Sequence, residues 1–483
     1  MKKLLISASF LLYTTSVWCQ SVEKNLPNIV LIFADDMGYG DLVSYGAVDL
    51  ETPNLDKLAA QGMRFTNFEV AQAVCSASRA GILTGTYPNR IGLSGALNPH
   101  ATIGLNPEEE TLAELVKKAG DYRTAIFGKW HLGHLPPFLP TRQGFDEFLG
   151  LPYSNDMWKW TYDMQLATPE THAAKASYPE LPILAADTVY RLISDMEGQN
   201  NLTTLYTEQA VRFIAENKDN PFFLYVPHSM PHVPLGVSDK FRGKSEQGLY
   251  GDVIMEIDWS VGEIMSSLDR HGLSDNTLVI FTSDNGPWLN FGNHAGSAGG
   301  LREGKATTYE GGQRVPCIMR WPGTIPPGTV TNKLSSTIDL LPTFAEILDV
   351  PLPKRRIDGV SILSVLKNQP GPGPRKEFYY YFQKNSLEAV RMDNWKLVLP
   401  HPSRSYEDLV PGMDGNFGPT RQVQTGMALY DLRRDPGERY DVKDTYPDIV
   451  TRLLELADSA REDLGDDITG VEGKNRRPPG QIN

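Results

Sequence analysis

Four stretches of this chain read as apolar strands, 27–34, 122–127, 221–226 and 277–282, the first a continuous apolar run. Unbroken rather than alternating hydrophobicity predicts strands covered on both faces, as in a parallel sheet. Helical signals fall between them. Thr52 to Gly62 and Asn106 to Gly120 each offer a polar cap, proline at the first helical position and glycine after the last turn. Further helices are predicted over 202–217 and 252–268. Strands alternating with helices predict an α/β fold with a large, mostly parallel sheet flanked by helices. Each apolar run also ends in chemistry: Asp35 and Asp36, Lys129 and His131, His228 and His232, Asp284 and Asn285. Ligands of open α/β sheets bind outside the carboxyl ends of strands, so these groups are expected to meet at one edge.

A fifth segment belongs with them. A strand-like run from Met63 to Phe68 leads into Ala71 to Gly85, where 76–84 reads as a short helix. Cys75 then lies at the helix N-terminus, where free N–H groups and the dipole favour negative charge. Arg79 follows one turn later on the same face. Sulfur, helix end and cation together describe an anion-handling site. A lone cysteine is more often a buried packing residue, so the assignment depends on partners elsewhere.

Beyond Leu363 the texture changes. A Gly- and Pro-rich linker over 368–374 precedes short strands at 377–383, 387–392, 396–399 and 428–432, then a helix over 446–464. This predicts a smaller C-terminal α+β subdomain of short antiparallel strands and a helix. The expected organisation is a signal peptide over 1–19, a catalytic domain over 20–367, the subdomain over 375–465, and a polar, disordered tail over 466–483.

Composition narrows the function. Among 483 residues, 46 Lys and Arg against 59 Asp and Glu give a net charge of −13, which excludes a general nucleic-acid binder. Any polyanion must be held by a local cationic pocket. Lys2 and Lys3 precede an apolar run towards Trp18, the pattern of a secretory leader, so export to the periplasm or the medium is expected. Acylation of Cys19 is the less favoured alternative, and no other segment is long and apolar enough to span a bilayer. Beyond the leader, Cys75 and Cys317 are too few for a disulfide framework, and Cys317 reads as a strand residue.

Asp35, Asp36, Asp284 and Asn285 form an oxygen-only donor set, which suits Ca²⁺ or Mg²⁺ rather than zinc. Around it stand Arg79, Lys129, His131, His232 and Lys305. The segments carrying these residues are DDMGYGD from Asp35, CSASRAGILTG from Cys75, GKWHLG from Gly128, SDNG from Ser283 and GKATTYEGG from Gly304. Together they resemble the type I sulfatases, the arylsulfatase family of the alkaline phosphatase superfamily, over nearly all of the mature chain.

The resemblance implies an alkaline-phosphatase-like sheet and a sulfatase activity. It implies that a maturation enzyme converts Cys75 to formylglycine, whose hydrate attacks sulfur with one hydroxyl and expels sulfate with the other. One Ca²⁺ ion would be held by Asp35, Asp36, Asp284 and Asn285, with position 75 itself in its shell. Arg79 would anchor the hydrate, and Lys129 and Lys305 would neutralise developing charge. His232, with Lys305, would protonate the leaving group, and His131 would be the base that regenerates the aldehyde. Ser154 matches a position near the bound sulfate. Arg302 and His294, beside the core motif, are expected to read the sugar. The sequence departs from the usual motif at Ala77, where proline is commoner.

The expected substrate is a sulfated carbohydrate, such as ulvan, carrageenan or a glycosaminoglycan, with Trp158, Trp160 and Tyr162 available for stacking on sugar rings. Two alternatives remain at this stage: a phosphonate or phosphate ester hydrolase, or a non-catalytic receptor for sulfated glycans should Cys75 stay unconverted.

Overall fold

The computed structural model describes residues 26–482; the predicted leader, with Cys19, lies outside them. Ten strands form one sheet: β1 (Asn28–Ala34), β2 (Met63–Phe65), β3 (Arg123–Phe127), β4 (Glu147–Gly150), β5 (Leu181–Ala185), β6 (Thr188–Ile193), β7 (Phe222–Pro227), β8 (Thr277–Ser283), β9 (Cys317–Arg320) and β10 (Thr329–Thr331). Their order is β10-β2-β9-β8-β1-β7-β3-β4-β5-β6. The five central strands, β8 to β4 in that order, are parallel. Both flanks turn back antiparallel, and at one edge β10 then pairs parallel with β2. The apolar runs thus locate the parallel centre. The flanking strands are short or alternate in burial, and they carry no such run.

β1 shows why its run is continuous. Ile29, Leu31 and Phe33 enter the core on one face, and Val30, Ile32 and Ala34 the core on the other, all with no exposure. Helix α1 (Cys75–Thr84) lies on the first face, and α2 (Leu202–Glu216) and α3 (Gly248–Arg270) cover the second. All ten residues of α1 are buried, which small side chains on every side make possible. A Cβ at Gly81 would already stand 2.9 Å from that of Ala71. The helix ends on Gly85 at φ 66°.

The helix predicted from Asn106 is shorter than its sequence grammar suggests, Leu112–Lys117. Thr111 and Glu114 form a reciprocal capping box that starts it. Asn106 instead opens a turn that leaves Glu109 free to bind Arg355 and Arg477.

In the C-terminal region β11 (Glu377–Phe382), β12 (Ser386–Met392), β13 (Trp395–Val398) and β16 (Ala428–Asp431) form a four-stranded antiparallel sheet. β14 (His401–Ser405) and β15 (Arg421–Thr425) form a separate two-stranded ribbon. Helix α4 (Pro447–Leu464) buries Leu453, Leu456, Ala457, Ala460 and Leu464 against the sheet. The tail over 466–482 is not the disordered segment its composition predicts. Asp466 pairs with Val471, and Gly480 and Gln481 pair with Gly104 and Ile103 of the catalytic domain. Arg477 fastens it through two contacts of 2.7 Å to Glu109. Long-range contacts, invisible in local composition, order it.

Candidate active site

The strand ends converge. Asp35 and Asp36 leave β1, Lys129 and His131 leave β3, His232 follows β7, and Asp284 and Asn285 follow β8. Backbone bonds lock these ends together: Asp35 N to Met230 O, Asp284 N to Ala34 O and Lys129 N to Pro227 O. Asp36 takes a left-handed conformation, φ 67°, and its N–H donates to Asp284 Oδ1 at 3.0 Å.

Cys75 opens α1 beneath this junction, 2 % exposed, with Sγ 3.7 Å from Asp35 Oδ1. Ala77 suits the place it occupies, since its N–H donates to Gly95 O at 3.1 Å, a bond proline could not make. Arg79, one turn on, spans the carboxylates. Nε and Nη2 donate to Asp284 Oδ2 at 3.2 and 3.0 Å, Nη2 lies 3.3 Å from Asp35, and Nη1 donates to Lys129 O at 2.8 Å. Lys129 Nζ contacts Asp35 at 2.5 Å and donates to Ser154 Oγ at 3.0 Å. Lys305 Nζ contacts Asp36 at 2.8 Å.

Electrostatics follow from burial and pairing. Burial alone would raise Asp35, but Lys129 and Arg79 hold it well below the usual carboxylate range. Burial and the Asp35 charge push Asp284 up to about 7, against the pull of Arg79. The Cys75 thiol is pushed up to about 12, chiefly by burial. Lys305 is buried yet raised by Asp36, so it keeps its proton.

The two histidines differ in which nitrogen they offer. Nε2 of His131 pairs with Leu97 O at 2.8 Å, which leaves Nδ1 as its free acceptor. Nδ1 of His232 pairs with Val233 O at 2.6 Å, which turns Nε2 toward Asp36 at 3.6 Å. Burial lowers both, most strongly His131. His228, which the sequence groups with them, points into the core onto Ser260 at 3.2 Å.

Do these residues fit a divalent ion? Ligand atoms of Asp35, Asp36, Cys75 and His232 lie within 4.8 Å of one another. Asp284 and Asn285 adjoin them through Asp36, Asn285 Nδ2 donating to its Oδ1 at 2.7 Å. Asn285 Oδ1 is buried without a partner. Three crowded carboxylates and one orphaned carbonyl oxygen fit a hard cation that prefers oxygen.

A cavity of about 300 Å³ opens above Cys75. His131, Ser154, His232 and Lys305 line it, as expected. So do Asp156, Trp288, Phe382 and Arg404, which sequence reasoning missed. His294 and Arg302 are not among the lining residues: His294 faces Asp414, and Arg302 stacks on Tyr309 and pairs with Glu407 at 3.1 Å. Nor are the aromatics expected to stack on sugars. Trp158 is buried against Trp160, and the Tyr162 hydroxyl is bound to Asp156.

A cysteine at a helix N-terminus, an oxygen donor set and three buried cations match what family comparison finds. Residues 27–350 match the model of the family described as Sulfatase. This chain belongs to the sulfatase family. Two further models match its C-terminal region, N-sulphoglucosamine sulphohydrolase, C-terminal, over 303–403, and the C-terminal region of aryl-sulfatase over 374–479. The sulfatase is 39 % identical to arylsulfatase A of Homo sapiens over 443 residues, 89 % of this chain and 87 % of that protein. It is 39 % identical to N-acetylgalactosamine-6-sulfatase of Mus musculus over 470 residues, 91 % of this chain and 86 % of that one. The crystal structure of PsFucS1 sulfatase from Pseudoalteromonas sp. superposes with a TM-score of 0.79 at 28 % identity, covering 90 % of this chain and 89 % of that chain. The protein is therefore a type I sulfatase of the alkaline phosphatase superfamily, a sulfuric ester hydrolase.

Proposed function

We propose that this sulfatase is exported, acts on sulfate esters of carbohydrates, and uses formylglycine at position 75 together with one Ca²⁺ ion. The observation that carries the reading is the position of Cys75, at the floor of a cavity between three carboxylates and three cations. Formylglycine, once made from Cys75, supplies as its hydrate a hydroxyl for attack on sulfur and a second to expel sulfate. Asp35, Asp36, Asp284 and Asn285, with position 75 and His232 beside them, would hold a divalent ion, which would supply Lewis-acid polarisation of a sulfate oxygen and favour the ionised nucleophile.

The remaining work falls to the chain. Arg79 fixes Asp35 and Asp284 in place from behind. Ser154, which accepts from Lys129, faces the sulfate from one wall of the cavity and Lys305 from another. The charges of Asp35, Asp36 and Asp284 cancel those of Arg79, Lys129 and Lys305. A divalent ion held there would be balanced by a sulfate monoester, which carries one negative charge, and an ionised nucleophile. The Lys305 ammonium, with His232 Nε2 nearby, protonates the leaving oxygen, and His131 Nδ1 accepts the proton that regenerates the aldehyde. Trp288 and Phe382 offer apolar faces to a sugar ring. The name of the N-acetylgalactosamine-6-sulfatase relative supports a sulfated sugar.

Sulfate release from 4-nitrophenyl sulfate and a panel of sulfated oligosaccharides, by protein co-produced with a maturation enzyme, tests this reading. Mass spectrometry of the peptide over 65–90 is expected to show loss of the thiol. Cys75→Ala is expected to lower kcat/KM by at least about 10³-fold with an unchanged circular dichroism spectrum. Wild-type turnover in that variant, or faster hydrolysis of matched phosphate esters, refutes it.

A further inference from the structure

One charge on the cavity wall has no counter-charge. Arg404, on β14, lines the same cavity as Cys75 and Lys305. Among the described residues its guanidinium makes no ion pair. The other ionisable groups of the wall are matched or neutral. Lys305 pairs with Asp36, and Asp156 is held in its charged form, against burial, by His232 and Lys175. Burial lowers the imidazoles of His131 and His232, and their ring nitrogens pair with Leu97 O and face Asp36.

Arg404 is nonetheless held still. Beside its guanidinium the Tyr406 hydroxyl donates to Lys305 O at 2.6 Å. Just after Arg404 in the chain, Ser405 Oγ donates to Glu303 at 2.6 Å and Tyr406 N donates to it at 2.8 Å. The backbone is paired with Gln422 across the ribbon. The strand that carries the cation is thus tied to the segment that carries Lys305, and both side chains line the one cavity. A half-buried arginine with an unused planar fork is suited to carboxylate or sulfate.

We propose that Arg404 is a specificity-determining residue that binds a second anionic group, a sulfate or a carboxylate, on the same substrate whose scissile sulfate lies over position 75. The assignment rests on the sulfated-carbohydrate reading above. It also orients the sugar. The Asp156 carboxylate repels an anion and accepts hydroxyls, so the second anionic group turns to the wall formed by Arg404 and Phe382. A substrate with one sulfate leaves the guanidinium unpaired and is bound less well.

The experiment compares 4-nitrophenyl sulfate, which carries one anion, with disulfated galactose and with sulfated disaccharides containing a uronate. The two sugar classes distinguish a second sulfate from a carboxylate. Arg404→Ala is expected to lower the ratio of kcat/KM for the doubly anionic sugar over the aryl sulfate by roughly 10- to 100-fold, mostly through KM, with Arg404→Lys intermediate. A structural role would lower both substrates alike and leave the ratio unchanged, which overturns the proposal. Calorimetric binding of the same sugars to Cys75→Ser protein reads the contact without turnover; an equal Kd with and without Arg404 also overturns it. Failure of the sulfatase reading shows separately, as wild-type protein converted at position 75 that does not hydrolyse 4-nitrophenyl sulfate.

Discussion

Arg79 has the most connected charge in the site. Its fork contacts Asp35, Asp284 and the carbonyl of Lys129, and all three side chains are fully buried. Taking away one member of a buried ionic cluster leaves the others desolvated and uncompensated, at a cost of about 3–5 kcal/mol. Arg79→Ala is therefore expected to lower the free energy of unfolding by that amount, read as a shift of the denaturation midpoint, with Arg79→Lys intermediate because an ammonium cannot span both carboxylates. An unchanged midpoint in Arg79→Ala would contradict this account of the cluster. At this scale the sequence was informative where residue type alone decides the role: two acids after one strand, an acid and an amide after another, an arginine one turn after a cysteine. It was silent on orientation. His131, His228 and His232 look alike in the chain, and only packing turns His228 inward onto Ser260. Asp156, Phe382 and Arg404 escaped notice because each stands in a locally ordinary context, and the cavity that gives them meaning is built from distant segments.

Elements with a strong local signal formed as read. β1, β3, β7 and β8 coincide with the apolar runs, and α1 begins at the predicted cysteine. Elements that depend on distant partners did not announce themselves, and the C-terminal strap is the main case. Residues 476–482 reach back so that Gly480 pairs with Gly104, Arg477 N donates to Arg90 O at 2.6 Å and Pro479 packs on Gly92. The segment it clamps, 92–105, includes Leu97, whose carbonyl fixes the His131 ring. Removing 476–483 is expected to cost roughly 2 kcal/mol, since the Arg477–Glu109 pair and the short ladder go together. It is also expected to expose 92–105 to proteolysis and to lower kcat as His131 loosens. Limited proteolysis with mass mapping checks this, and a cleavage pattern identical to that of the full chain would rule it out.

The cavity straddles a seam: Cys75 and Lys305 come from the catalytic domain, Phe382 and Arg404 from the C-terminal region. Read along the sequence, the second region looks like a separate appendage. The structure instead joins the two through a buried charge network that runs from Glu69 to Glu438. Arg391 on β12 contacts Glu69 at 3.0 Å, just before the segment that carries Cys75. Lys396 on β13 contacts Glu310 at 3.1 Å and Glu438 at 2.8 Å, and Arg314 Nε reaches Glu310 at 2.8 Å. Glu69 is the strained member. Burial and the Glu310 charge push it up to about 7, although Arg314, Arg391 and Lys396 pull the other way, and its Oε2 has no partner. Tyr39 faces the same group. The folded protein therefore holds a proton on Glu69 that the unfolded chain releases near pH 4.5, so this group's contribution to stability falls as pH rises from about 4.5 to about 7. Glu310 acts in the opposite sense. It is held below its ordinary value against burial by Arg314 and Lys396, and its contribution is present above pH 4.5 and lost on acidification. Glu69→Gln replaces the protonated acid by an amide of the same shape and removes only the first effect. Relative to wild type, the variant is expected to gain stability progressively between pH 5 and 7, by up to roughly 3 kcal/mol for a full titration across that window. Denaturant melts at half-unit pH steps measure this difference directly. A wild-type minus variant difference that stays flat, or that grows with pH, would mean that Glu69 is ionised throughout and that the seam is held by charge pairs alone.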